Sequence, residues 1–232
     1  MRTVVVTDPP RTDAGVAAAL GELGVATLHE ALGRAGYLGP AFRPAWAGAR
    51  AGGTAVTALC HPGDNLMIHV AVEQCGPGDV LVVATTSASE DGMFGELLAT
   101  SLQHRGVVGV VLAGGVRDVA DLRSMGFPVW SRAVSAQGTV KATPGAVNVP
   151  VVVGGQVVAP GDVVVGDDDG VVVVPRLAAD ATLTAARARD EREAAAREAF
   201  RNGELGLDRY GLRDRLAGLG IEYVPYPADG SA

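Results

Sequence analysis

The texture of the chain changes once, near Val129, and that change limits what it can fold into. Before it, apolar runs of strand length alternate with helical segments; after it, short valine-rich runs are divided by Gly and Pro. Strand–helix alternation followed by a run of short strands predicts one mixed α/β domain, layered rather than doubly wound. Helical segments flank it on both sides. The expected division is an N-terminal helical arm over 1–50, an α/β core carrying the site over 51–176, and a C-terminal helical arm over 177–232.

Helices are expected over Thr12–Leu23 with Asp13 as cap, and over Ala26–Ala35 with Thr27 as cap and Glu30 at capping-box spacing. Others are Leu66–Gln74, Leu97–Arg105, Val119–Met125, the charged Leu177–Arg201, and an amphipathic piece from Gly206 to Leu219. Strands are expected over Gly53–Leu59, Val80–Ala84, Val107–Leu112, Val129–Ala133, Val151–Val153, Gln156–Val158, Asp162–Val165 and Gly170–Val174. Gly154-Gly155 reads as a hairpin turn. Gly166-Asp167-Asp168-Asp169-Gly170 reads as an acidic hairpin turn, since a calcium loop needs alternating ligands and a terminal Glu.

Charge and cysteine usage exclude several classes. A net charge of −7 without any basic run argues against a nucleic-acid partner. Every apolar stretch is broken by Gly, Pro or charge before membrane-span length, and the first ten residues lack the apolar core of a signal peptide. Cys60 and Cys75 stand in no disulfide or metal-ligand spacing, which suits reduced thiols in a cytoplasmic protein.

Nucleophile chemistry finds little support. None of Ser87, Ser89, Ser101, Ser131 and Ser135 lies in a Gly-x-Ser-x-Gly elbow. Lys141, the one lysine of the chain, sits in a polar turn rather than the apolar pocket a Schiff-base lysine needs. His29, His61, His69 and His104 show no ligand spacing, and His69 reads as a core or interface group. Gly114-Gly115 lacks the third glycine of a dinucleotide fingerprint.

Oxygen chemistry remains. Val107–Leu112 is an apolar strand followed by Ala113-Gly114-Gly115-Val116-Arg117-Asp118, in which the glycines permit a turn or a close backbone approach to a ligand. Arg117 offers a planar fork for a carboxylate, and Asp118 a hard oxygen for a divalent cation. Glu96 falls in the first turn of its helix, where backbone N–H groups attract anions. These residues are either a site for a small 2-keto acid beside Mg²⁺ or Mn²⁺, or a turn with a solvated surface ion pair.

The run Phe94-Gly95-Glu96-Leu97-Leu98-Ala99-Thr100-Ser101, then Arg105-Gly106 and Gly115-Val116-Arg117-Asp118, resembles the 4-carboxy-4-hydroxy-2-oxoadipate aldolase family. That family is also called 4-hydroxy-4-methyl-2-oxoglutarate aldolase. Asp64–Gln74, Met125–Ser131, Ala136–Lys141, Val147–Val151, Pro160–Val163, Asp167–Val171 and Gly203–Asp208 extend the similarity over nearly the whole chain.

The resemblance implies a metal-dependent, pyruvate-releasing aldolase on a swivelling-type β/β/α domain related to the regulator of ribonuclease E activity A. It also implies a homotrimer, or a homohexamer of two trimers, with sites between subunits. Under it Asp118 is the metal ligand, for Mg²⁺ or Mn²⁺, and Arg117 holds the pyruvyl moiety. Gly95, Glu96, Leu97 and Leu98 supply backbone groups to the substrate carboxylate, and the acid at 96 contacts metal-bound water. A carboxylate of the C-terminal helix, Glu193 or its neighbour Glu191, reaches in from the adjacent subunit. Closely similar family members carry Asp at position 96; Glu96 keeps the charge and changes the reach.

The expected reaction is retro-aldol cleavage of 4-carboxy-4-hydroxy-2-oxoadipate to pyruvate and oxaloacetate. Cleavage of 4-hydroxy-4-methyl-2-oxoglutarate and a secondary decarboxylation of oxaloacetate accompany it. The alternatives are a non-catalytic regulator of ribonuclease E, a dedicated oxaloacetate decarboxylase, or an aldolase for another 4-hydroxy-2-keto acid.

Overall fold

A computed structural model describes residues 3–226. In chain order it contains β1 (Val4–Val5), α1 (Ala14–Leu23), α2 (Val25–Ala31), β2 (Arg43–Pro44), β3 (Ala51–Cys60) and α3 (Leu66–Gln74). Next come β4 (Asp79–Thr85), β5 (Gly92–Phe94), α4 (Glu96–His104), β6 (Gly109–Val116), α5 (Val119–Met125) and β7 (Val129–Val134). The short strands follow: β8 (Ala146–Val147), β9 (Val151–Val153), β10 (Gln156–Val158), β11 (Val163–Asp167) and β12 (Gly170–Val174). Last are α6 (Ala179–Arg201), α7 (Gly206–Arg209) and α8 (Leu212–Gly218).

Strands β3, β4, β6 and β7 run parallel and adjacent, in that order. Each parallel step needs a crossover. α3, α4 and α5 supply them, and all three helices pack on one face against Val56, Leu81, Val83, Val110 and Leu112. The opposite face carries Val80, Val82, Val111, Ala113 and Trp130, covered by Leu38, Phe42, β9 and one side of the β11–β12 hairpin. Valines alternate through that hairpin: Val164, Val171 and Val173 face the sheet, while Val163, Val165, Val172 and Val174 face α1, α2 and the start of α6. This two-sided burial makes the layered β/β/α fold, and explains why β6 and β12 are apolar without alternation.

Several expectations were corrected. Strand β6 does not end at Leu112; it runs through both glycines to Val116, fully buried. The glycines serve close approach instead of a turn: a Cβ on Gly115 would overlap the backbone of Glu90 and lie 2.8 Å from the Asp91 carbonyl oxygen. The second helix starts at Val25, so Thr27 lies inside it and caps nothing. Its first N–H is satisfied from far along the chain, by Asp167 Oδ2 at 2.8 Å. Part of the polar loop before Glu96 is strand β5, paired with β6. The segment before α6, Arg176–Ala178, is a 3₁₀ turn, and Gly206–Leu219 is two short helices. Strand β8 was not foreseen; two residues give no periodicity to read. His69 is exposed rather than part of the core.

Asp13 caps α1 as expected, accepting from Gly15 and Val16 N–H. Two hairpins also form where expected, at Gly154-Gly155 and at Asp167–Gly170. The chain divides into compact units 1–189 and 190–232. Within the second, Phe200 and Tyr210 meet edge to face at 6.1 Å, and Arg197–Asp190, Arg209–Glu204 and Arg213–Asp208 form ion pairs. Among its described residues only Ala196 is buried. No described helix is long and apolar enough to cross a membrane.

Candidate functional site

The parallel strands deliver their C-terminal ends to one edge, where an open α/β sheet leaves room for a ligand. β6 ends there at Val116, and Arg117 and Asp118 follow. The Arg117 N–H donates to the Phe94 carbonyl at 2.9 Å, fixing the strand end to β5. Asp118 then adopts the left-handed conformation, φ 57° and ψ 38°. A Cβ-bearing residue pays for that backbone, Asp and Asn least, and such strain gathers at functional positions. It starts α5 directly: the Asp118 carbonyl accepts from Asp121 and Leu122 N–H. The carboxylate is thereby spared from capping α5.

That carboxylate is held from the other side by α4. Glu96 N–H donates to Asp118 Oδ2 at 3.1 Å. The contact is possible because residue 95 is Gly: a Cβ there would overlap Asp118 Oδ2 and lie 2.9 Å from Arg117 Cγ. Gly95, the N-cap of α4, has no side chain to cap it, and Asp118 takes only the Glu96 N–H, which leaves the Leu97 and Leu98 N–H groups for a ligand oxygen. Arg117 Nε stands 3.5 Å from Asp118 Oδ2, both side chains more than a third exposed. Exposed pairs of this kind contribute about 0–1 kcal/mol, so stability does not account for the pairing. Arg117 and Asp118 line an open cleft of about 330 Å³ together with Val134, Ser135 and Ala136.

The structure therefore brings together Gly95, the backbone of Glu96, Arg117 and Asp118. Leu97 and Leu98 follow on the first turn of α4. The Glu96 carboxylate lies elsewhere, accepting from the Thr100 hydroxyl at 2.8 Å, beside a second cleft lined by Gln103, Asp121 and Ser124. Glu191 and Glu193 belong to the second compact unit.

Sequence reading missed the wall formed by Val134–Ala136 and the role of Gly92. A Cβ at Gly92 would lie 3.1 Å from the Gln137 carbonyl oxygen and 3.5 Å from Arg117 Cβ, so Gly92 lets residues 135–137 close over the strand end. Only the polar texture after β7 hinted at this.

Among the described residues no group of three or more His, Cys, Asp and Glu could hold a metal ion. A cation here would take one protein carboxylate, Asp118, and fill its other positions from water and substrate. Mg²⁺ and Mn²⁺ accept that donor set, because they keep several waters and favour hard oxygen. The residues present fit such an ion.

Lys141 is exposed, which disfavours a Schiff base. Cys60 and Cys75 are buried free thiols, and burial pushes each up to about 12, so neither is a nucleophile.

Comparison with known proteins places the fold among relatives. A protein of Burkholderia multivorans provisionally named 4-hydroxy-4-methyl-2-oxoglutarate aldolase is 37% identical over 143 residues, 62% of this chain and 87% of the relative. A Halalkalibacterium halodurans protein of the same provisional name is 29% identical over 68% of this chain and 75% of its own length. Among solved structures, the Streptomyces coelicolor protein RraAS2, described as an unusual member of the RNase ES inhibitor RraA family, superposes with a TM-score of 0.72. It is 31% identical and covers 81% of this chain and 98% of its own. An uncharacterised Pseudomonas syringae protein superposes with a TM-score of 0.73 at 28% identity, covering 84% and 96%. The family model for RraA-like proteins, described as Aldolase/RraA, matches residues 25–173. With the layered fold and the strand-end pair in place, the chain belongs to the RraA-like family.

Proposed function

We propose that the protein is a divalent-metal-dependent pyruvate aldolase, which cleaves a 4-hydroxy-2-keto acid by retro-aldol reaction. The substrate we favour is 4-carboxy-4-hydroxy-2-oxoadipate, giving pyruvate and oxaloacetate; 4-hydroxy-4-methyl-2-oxoglutarate would be cleaved by the same groups. One observation carries the reading. Arg117 and Asp118 stand side by side at the end of β6, with the Asp118 carboxylate fixed by the Glu96 N–H of α4 and not used to cap its own helix, α5.

Asp118 would hold Mg²⁺ or Mn²⁺. Bound there, the cation would supply Lewis acidity to the carboxylate and carbonyl oxygens of the keto acid. Arg117 would grip the pyruvyl end and oppose the negative charge that grows when the C3–C4 bond breaks. The uncapped N–H groups of Leu97 and Leu98 would receive the substrate carboxylate, and Gly95 would keep the approach clear. Glu96, released from Thr100, would take up the C4 hydroxyl proton through water. Glu193 or Glu191 of a neighbouring copy would complete the site in a trimer or hexamer. Oxaloacetate decarboxylation generates the same pyruvate enolate, so it would accompany the main activity.

A panel of 2-keto acids assayed for pyruvate release tests this. Full activity in EDTA, or in Arg117→Ala, would sink it. A second reading, binding of a ribonuclease E-type enzyme without catalysis, draws support from the likeness to RraAS2. A binding assay against such a ribonuclease alongside the pyruvate assay separates the two.

A further inference from the structure

A third cleft opens at the same sheet edge, on the face away from α3, α4 and α5. It has a volume of about 470 Å³ and is lined by Ala113 of β6, by Pro40, Ala41 and Val152, and by Thr85, Ser87 and Arg132. Volumes of this order suit small organic ligands.

Its electrostatics are unusual for this chain. Acidic residues outnumber basic ones, 26 to 19, yet no acidic side chain lines the cleft. Arg132 is the one charged residue lining it, and its guanidinium makes no hydrogen bond or ion pair with any described residue. The β2–β7 register explains its placement. Arg43 pairs with Ser131 and Pro44 with Trp130, which puts Phe42 level with Arg132. Trp130 is buried on this face of the sheet, and by alternation Arg132 projects from the same face two residues on. Val152 of β9 is 63% exposed, and Pro40 and Ala41 are exposed beside it, so the apolar wall offers free surface to a ligand. The Thr85 hydroxyl donates to the Ala113 carbonyl at 3.3 Å, which leaves its oxygen able to accept but turns its proton away from a ligand. The donors for an anion are therefore the Arg132 fork and the Ser87 hydroxyl.

We infer that this cleft is a binding site for a small carboxylate with an apolar body, its carboxylate on Arg132 and its body against Pro40, Ala41 and Val152. A planar guanidinium fork matches a carboxylate with two parallel hydrogen bonds. The apolar wall distinguishes such a ligand from a bare inorganic anion. The site is separate from the Arg117–Asp118 cleft, shares no lining residue with it, and does not depend on the aldolase reading.

The test is calorimetric or NMR titration of the full chain in EDTA, with benzoate, acetate and inorganic phosphate as probes. Benzoate should bind saturably. Its affinity should fall at least tenfold in Arg132→Gln and stay within twofold in Arg117→Ala. Acetate should bind at least tenfold more weakly than benzoate. Arg132 is exposed and unpaired, so its replacement leaves the fold intact, and circular dichroism checks this. The inference is overturned by absence of saturable benzoate binding, by equal affinity in Arg132→Gln, by dependence on Arg117 instead, by acetate matching benzoate, or by phosphate binding while benzoate does not.

Discussion

A methyl group on Gly95 would overlap the carboxylate of Asp118, 23 residues further along the chain. The two belong to different βα connections, and they meet because β5 and β6 pair side by side. Gly95→Ala must therefore push α4 away from the strand end or turn the carboxylate aside. A displacement of about 1 Å at reacting groups can cost on the order of 10²-fold in rate. Pyruvate release in Gly95→Ala should fall by about that factor, with the melting temperature nearly unchanged.

Asp118→Asn keeps the shape and the left-handed backbone but removes the negative charge. It should abolish metal-dependent activity while leaving thermal stability close to wild type, because Asn tolerates that conformation as well as Asp. Activity assays across a Mg²⁺ or Mn²⁺ titration check it. In the wild-type chain EDTA should silence the enzyme and added cation should restore it.

Asp64 ties the start of α3 to residues 142–143, and it is 2% exposed. Burial pushes its carboxyl up. Hydrogen bonds from the Leu66, Ala142 and Thr143 backbone N–H groups, with a Thr143 side-chain contribution, outweigh that and hold it below the usual carboxylate range. A depressed folded value means the stabilisation is fully present above the unfolded value, about 3.9, and is lost as pH falls through the folded one. The melting temperature should drop as pH is lowered below about 4. In Asp64→Asn an NH₂ must face backbone donors, costing about 1–3 kcal/mol at pH 7. Chemical denaturation at pH 7 and pH 3 should show the gap to wild type narrowing in acid.

Cys60 and Cys75 should resist a disulfide-forming thiol reagent at pH 8 in the native protein. With both thiols raised to about 12 by burial, almost none of either is thiolate at that pH. Both should react promptly in guanidinium chloride; fast labelling of the folded chain would contradict the buried placement.

Gly166→Ala should destabilise the fold with little effect on the site. A Cβ there would sit 2.5–2.8 Å from the Trp130 indole, which lies flush on the hairpin and donates to the Asp167 carbonyl at 2.8 Å. Overpacking of this kind costs about 1–3 kcal/mol, readable in urea denaturation.

How much of this was legible in sequence depended on how local the cause was. Helix α3 lies exactly between its expected ends because a Pro-Gly-Asp-Asn turn opens it and Gly76-Pro77 follows. The capping box at Thr27 and Glu30 looked equally local, yet α2 starts on Asp167, 142 residues away; no window around Val25 contains that carboxylate. Gly114-Gly115 stayed ambiguous for another reason. Glycine serves both turns and close approaches, and only the passage of Glu90 and Asp91 across Gly115 decides between them. The pairing of Arg117 and Asp118 beyond an apolar strand was legible because neighbours in sequence need no fold to bring them together. Arg132 was not, since an Arg inside a valine-rich strand looks like any solvated charge until its face is known.

The backbone at position 118 limits what substitution can do there. Gly and Asn accept φ 57° with little strain, and neither carries a charge. Glu keeps the charge but pays for the conformation and moves the oxygens by a methylene, away from the Glu96 N–H. No single replacement preserves both the turn and the ligand. Drift at this position therefore has two outcomes: the chain keeps Asp, or it keeps the fold and gives up the carboxylate that the proposed metal would need. A relative that has left Asp at this position would be an intact scaffold free to take up non-catalytic work.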